Sequence, residues 1–369
     1  KVVYNLDLRN KLIFNAVGGW NYIKIEDQNR PDLRGAENVE HTGYQYTAGL
    51  TYKSLFSKQG YSLISIGRST STWDAEVYQY KNGIKDKYFT RDNMESDNFI
   101  KGDVVYKISP NLEISTGVNY KYGEYKLHEI ADPDIIYYYL YDGIDDIDTE
   151  VDSLNQIYET LIDEFEMDTV LSGIGIPVYE NGSFTMSPSD GLWKYAAYIQ
   201  TKYIWKRFSF TAGFRYDNVP YNKTSVLAPR IGLSYSITPV TKFNVAYGTY
   251  YQSPNYWILM NPNNAYRLKH AYTHQHVAGI EHYFADDIKG TIELYNKTYH
   301  NKPISVAGTT ADSLDARLGF TDTGEGRARG LEIFLQKKFA DKWYGTFSYS
   351  LSESEGKDPR DDKYEYYPW

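Results

Sequence analysis

Across 369 residues the chain carries 39 Lys and Arg against 48 Asp and Glu, a net charge of −9, and only 41% of it is hydrophobic. No run of about twenty apolar residues exists to cross a membrane as a helix. The absence of cysteine excludes disulfides and thiolate metal sites, and the acidic balance argues against a nucleic-acid partner. The 39 Tyr and 7 Trp, against 15 Phe, are rings with one wet and one apolar end, which suit a membrane interface.

Taken in chain order, alternating segments read as strands over 11–26, 41–54, 60–74, 97–108, 112–126, 193–205, 208–217, 229–237, 242–252, 272–284, 288–299, 327–339 and 342–354. Tight connections fall at 56–60, 109–111, 205–207, 238–241, 285–287 and 340–342, rich in Pro, Gly, Asn and Asp. Long connections are predicted at 27–40, 75–96, 127–192, 218–228, 253–271, 300–326 and from 355 onward. Short and long alternate after Lys11, the order of a barrel with a periplasmic and an extracellular rim.

The strand faces agree. Phe208, Phe210, Ala212, Phe214 and Tyr216 share one face, with Ser209, Thr211, Gly213, Arg215 and Asp217 on the other. One side is apolar and the other wet, so the fold class is all-β, a large antiparallel transmembrane β-barrel with about thirteen strands in this chain. No signal peptide precedes Lys1, and the pattern starts and stops midway, which reads as part of something longer.

The stretch from Tyr195 to Glu353 resembles the barrel of a TonB-dependent outer-membrane receptor, of the kind common in Bacteroidetes. The resemblance rests on Tyr198-Ile199-Gln200, Ala212 to Asp217, Ala228 to Tyr235, Ala246 to Pro254 and Glu293 to Tyr299. Its most telling piece is Gly324-Glu325-Gly326-Arg327-Ala328-Arg329-Gly330-Leu331-Glu332. That glycine-rich run leads into a strand, so it is no phosphate loop. The resemblance implies a 22-stranded barrel, of which residues 1–369 are a partial barrel domain without the plug and the last strands. It also implies active import of a scarce nutrient, such as a ferric siderophore. The implied partners are outer-membrane lipid and lipopolysaccharide, the TonB complex through the plug and the nutrient itself, with no cofactor; whether a surface lipoprotein also caps the mouth is left open by the sequence.

Candidate sites lie on the loops and the wet face. Loop 127–192 is too long for a mere connection. Its acidic first half offers Asp145, Asp146 and Asp148 as weak calcium ligands, and its second half predicts an amphipathic helix from Ser153 to Met167. His270, His274 and His276 lie close enough to be weighed as metal ligands and against an interfacial cluster, which is favoured. Loop 252–260 is unusually apolar for a solvent loop, making Tyr251, Asn255, Tyr256 and Trp257 candidate ligand contacts. Arg215, Arg230, Arg327 and Arg329 are read as facing the lumen, where they would guide an anionic ligand or pair with plug carboxylates. No catalytic constellation emerges, so an outer-membrane enzyme, a passive porin-like channel and a soluble binding module remain alternatives to the receptor.

Overall fold

The computed structural model describes residues 1–25, 38–81, 84–131, 137–139, 175–177, 183–186, 192–264, 267–305, 319–340, 342–357 and 364–366. Among these the chain forms β1 (Val2–Asn5), β2 (Asn10–Ile25), β3 (Asn38–Ser54), β4 (Gly60–Lys81), β5 (Ile84–Ser109) and β6 (Leu112–Ala131). The short β7 (Tyr137–Tyr139), β8 (Gly175–Pro177) and β9 (Ser183–Met186) follow. Next come β10 (Leu192–Trp205), β11 (Phe208–Val219), β12 (Thr224–Thr238), β13 (Thr241–Gln252), the one-turn helix α1 (Tyr256–Leu259) and β14 (Ala271–Ala285). β15 (Ile288–Ser305), β16 (Phe320–Ala340), β17 (Trp343–Lys357) and β18 (Glu365–Tyr366) complete the order. Except for β7 and β8, which pair with each other, all strands join one antiparallel sheet in chain order, with β9 beside β6. The thirteen strands read from the sequence are all present.

Cross-strand rows show why the sheet has two different faces. One row runs Phe210, Leu233, Val245, Ala278, Leu294, Leu331, Leu351 from β11 to β17. The adjacent row reads Ser209, Ser234, Asn244, Gly279, Glu293, Glu332, Ser350. Because side chains alternate along a strand, the first row lies wholly on one face and the second on the other. The apolar face is the bare one, with Phe214, Ile231, Leu294 and Leu351 all more than half exposed. Exposing this much contiguous oil is unfavourable in water but matches a lipid solvent.

Aromatic rings bound that apolar band. Near the tight turns, Trp205 stacks on Phe208, which contacts Phe210 and Tyr235. Toward the long loops, Trp193 packs on Tyr120 and Tyr122, and Tyr120 on Tyr195. Tyr195 and Trp205 are about ten residues apart, roughly 33 Å of strand. A tilt of about 40° reduces this to about 25 Å, the height of the apolar band of an outer-membrane barrel.

The structure revises the predicted connections. Segment 75–96 is not a loop: β4 and β5 run on to Lys81 and from Ile84 as a hairpin. Its charged residues pair across strands instead of dispersing into solvent. Lys85 bridges Glu40 and Glu76 at 3.1 and 2.9 Å, and Arg91 binds Glu129 with both atoms of its fork at 2.8 and 2.5 Å. Segment 218–228 shrinks to a tight turn at Pro220–Asn222, and β15 and β16 extend into the predicted 300–326 loop. The helix expected at 153–167 lies outside the described residues.

Candidate functional site

Loop 253–270 leaves β13 and folds back over the polar face. Its anchor is α1, a single turn that would not persist alone and is held by packing. Tyr256, Leu259 and Met260 form an apolar cluster with Tyr125 and Leu127 of β6, Leu192 of β10 and Val219 of β11. A second cluster joins Ile258 to Leu268 and Phe320, and Trp257 packs against both, edge-on to Phe320 at 5.3 Å. Three hydrogen bonds tie the loop to its neighbours. Asn222 Nδ2 donates to the Leu268 carbonyl at 2.7 Å, and Asn264 Oδ1 accepts from the Phe320 amide at 2.9 Å. Asp322 accepts from the Lys269 amide at 2.7 Å. Gly319 closes the seam at φ +84°, where a Cβ would sit 2.3 Å from the Asn263 carbonyl oxygen, so no other residue fits.

Tyr256 then reaches further. Its hydroxyl donates to Asp97 Oδ1 of β5 at 2.5 Å, and its ring lies 4.0 Å from Lys194 Nζ of β10. Between β5 and β13 the sheet order interposes β6, β10, β11 and β12. A loop leaving β13 touches β5 only if the polar face is concave. Burial, reinforced by the hydrogen bond to Asp97, pushes the Tyr256 phenol well above its usual pKa, so it remains the donor.

The concave wall beneath α1 is charged and internally paired. Lys121 binds Asp97 at 3.0 Å, and Tyr198 donates to Asp103 at 2.8 Å. A cavity of about 160 Å³ opens between this wall and the two ends of the loop, lined by Asn119, Lys121, Lys194, Arg215, Asp217, Tyr251, Ser253 and His270. His270 is 3% exposed, and burial holds its imidazole below the usual histidine pKa.

The sequence-predicted residues separate by face. Arg215 and Arg230 do face the concave side. Arg215 grips Asp217 with bonds of 2.7–3.1 Å, and Arg230 lies over the Tyr250 ring at 4.4 Å. Arg327 and Arg329 do not face the lumen. They share the parity of Leu331 and Ile333 on the outer face, where Arg327 pairs with Glu355 and Arg329 with Glu353 at 2.5 Å. Tyr251 borders the cavity, but its ring packs on Tyr272 at 5.4 Å. Tyr256 and Trp257 are brought inward as described, with Asn255 capping α1 through its carbonyl.

The histidine triplet is split: His274 and His276 both contact Tyr247, while His270 is buried by the cavity. No metal-holding cluster is found among the described residues. Asp145, Asp146 and Asp148 lie outside the described residues. Sequence reasoning missed Lys194, Asn119 and Asp97, whose only signal is the alternation that puts them on the wet face.

Solved structures of similar fold include the outer membrane transporter YddB from Escherichia coli, with a TM-score of 0.61 at 10% identity over 96% of this chain and 47% of that one. The ferripyoverdine receptor of Pseudomonas aeruginosa gives 0.65 at 11% over 99% and 49%. The alcaligin receptor FauA of Bordetella pertussis gives 0.59 at 10% over 96% and 52%. The chain thus spans about half the length of these proteins. No curated protein sequence matches it. The family model described as TonB dependent receptor-like, beta-barrel, matches residues 3–368, so the chain belongs to the TonB-dependent receptor β-barrel family and its strands are those of an outer-membrane barrel.

Proposed function

We propose that this chain is the membrane-spanning, ligand-admitting part of a receptor that captures a bulky, scarce nutrient, such as a ferric siderophore, and imports it with TonB-supplied energy. The observation that carries the reading is loop 253–270, which seats α1 across the concave wall and narrows the mouth above a charged lumen. A passive pore gains nothing from a buried, hydrogen-bonded obstruction at its entrance, whereas a receptor needs a surface that captures the ligand and then moves. Energy coupling passes through a plug supplied by another part of the full-length protein. The chain has a transport role and no catalytic one, and the extracellular rim is where ligand and any surface lipoprotein dock.

The test is uptake of radiolabelled ferric hydroxamate and ferric catecholate chelates by cells that hold the full-length protein as their sole high-affinity receptor. Uptake of one class that vanishes on loss of TonB or of the proton gradient supports the reading. Uptake that persists without TonB means a passive channel and overturns it.

A further inference from the structure

The cavity under the ends of loop 253–270 has more donors than its own carboxylates use. Of its three cations, Lys121 is taken by Asp97 and Arg215 by both oxygens of Asp217. Among the described residues Lys194 has no carboxylate at salt-bridge distance. Its neighbour is the Tyr256 ring, which attracts the ammonium yet accepts no conventional hydrogen bond. Two further polar atoms are buried there without a partner: His270 Nε2 and Asn119 Oδ1. Buried polar groups left unmade cost about 1–3 kcal/mol each, so orphans gathered around one cavity mark a place where something else completes the bonding.

We propose that this cavity is a subsite for a small oxyanion, a carboxylate or phosphate group, held by Lys194, His270 and Asn119. The Lys194 ammonium supplies the charge. Nε2 of a neutral His270 donates when the proton sits on that nitrogen, and the Asn119 carboxamide turns to present its NH₂. About 160 Å³ admits roughly five waters at ~30 Å³ each, or one tetrahedral oxyanion with a water or two. Ser253 and His270 flank the apolar anchor of α1, so an anion here ties both ends of the loop to the wall formed by β6, β10 and β11. The oxyanion is either free in the medium or the charged group of the imported ligand; the second source rests on the transport reading above.

The experiment is calorimetric titration of inorganic phosphate and of acetate into the full-length protein in detergent. It compares wild type with Lys194→Met and with Lys202→Met, a concave-face lysine of β10 outside the cavity. Heat-modifiable mobility on gels checks that each variant is folded, and His270→Gln serves as a second probe if Lys194→Met is not. The expected result is saturable binding that weakens at least tenfold in Lys194→Met and is unchanged in Lys202→Met. Tight binding of free phosphate identifies a free anion. Weak binding of both ions, with a tenfold loss of ferric-chelate affinity in Lys194→Met, identifies the ligand's anionic group. Equal behaviour of wild type and Lys194→Met toward ions and chelates overturns the subsite while leaving TonB-dependent uptake as a separate outcome.

Discussion

The hydroxyl of Tyr256 and the carboxylate of Asp97 are 159 residues apart in sequence and 2.5 Å apart in space. This one bond links the loop after β13 to β5 across the mouth. A hydrogen bond to a charged acceptor contributes about 1.5–3 kcal/mol. Tyr256→Phe keeps the ring packing and removes only that bond. Opening of the loop is then expected to become about 10–100-fold more frequent, read as faster trypsin cleavage after Arg267 and Lys269. An unchanged cleavage rate would show that packing alone holds the loop.

Gly123 makes the same contact testable from the wall. A Cβ there would lie 2.4 Å from the Tyr256 hydroxyl and 2.7 Å from its ring, while the strand partners of Gly123 on β5 and β10 are unaffected. Gly123→Ala should therefore release the loop about as far as Tyr256→Phe does. The double variant should fall well short of the sum, since both remove one interaction.

Above the membrane, Arg91 and Glu129 form a pair in which both side chains are largely buried, at 12% and 4% exposure. Removing one partner of such a pair costs about 3–5 kcal/mol because the other charge is left uncompensated. Arg91→Met should accelerate hydrogen exchange throughout the hairpin extension of β4 and β5, with the apolar band unchanged. Equal protection in both proteins would contradict this.

The extension should also soften in acid. Lys87 and Lys85 hold the Glu76 carboxyl below its usual pKa, and Lys85 does the same for Glu40. A pKa lowered by folding gives stability that is present above the unfolded value of about 4.3 and lost as pH falls through the folded value. Hydrogen exchange in residues 75–92 should therefore rise below about pH 4. In Lys85→Gln the register leaves Glu40 opposite Glu76 as like charges. That variant should soften near neutrality and firm up on acidification, the reverse of wild type.

Much of this molecule was legible because a barrel strand needs only alternation. The row Phe210, Leu233, Val245, Ala278, Leu294 follows from counting by twos, and Pro239 or Asp286-Asp287 punctuates it. Segment 75–96 was not legible because Glu76, Lys85, Lys87 and Arg91 look like a solvated loop until cross-strand partners neutralise them. Arg327 and Arg329 share the parity of Leu331 and Ile333 and so lie on the outer face; charge alone points them inward, and only the count along β16 corrects it. The apolar stretch Tyr256-Trp257-Ile258-Leu259 did announce an inward fold. Its partners Tyr125, Leu192 and Val219 lie on other strands, and only the register brings them together.

Which face of the sheet meets lipid decides where the polar path through the protein runs. Since the chain has no cysteine, single cysteines can be placed along β11 at 210 to 215 in a cysteine-free full-length background, spin-labelled and reconstituted in lipid bilayers. A period-two alternation is expected, with oxygen accessibility high at 210, 212 and 214, and water-soluble nickel-chelate accessibility high at 211, 213 and 215. As a companion check, Leu294→Arg should cost about 2–4 kcal/mol and Asn244→Arg little. A flat or inverted alternation would contradict the assignment of the two faces, and with it the lumenal site under α1.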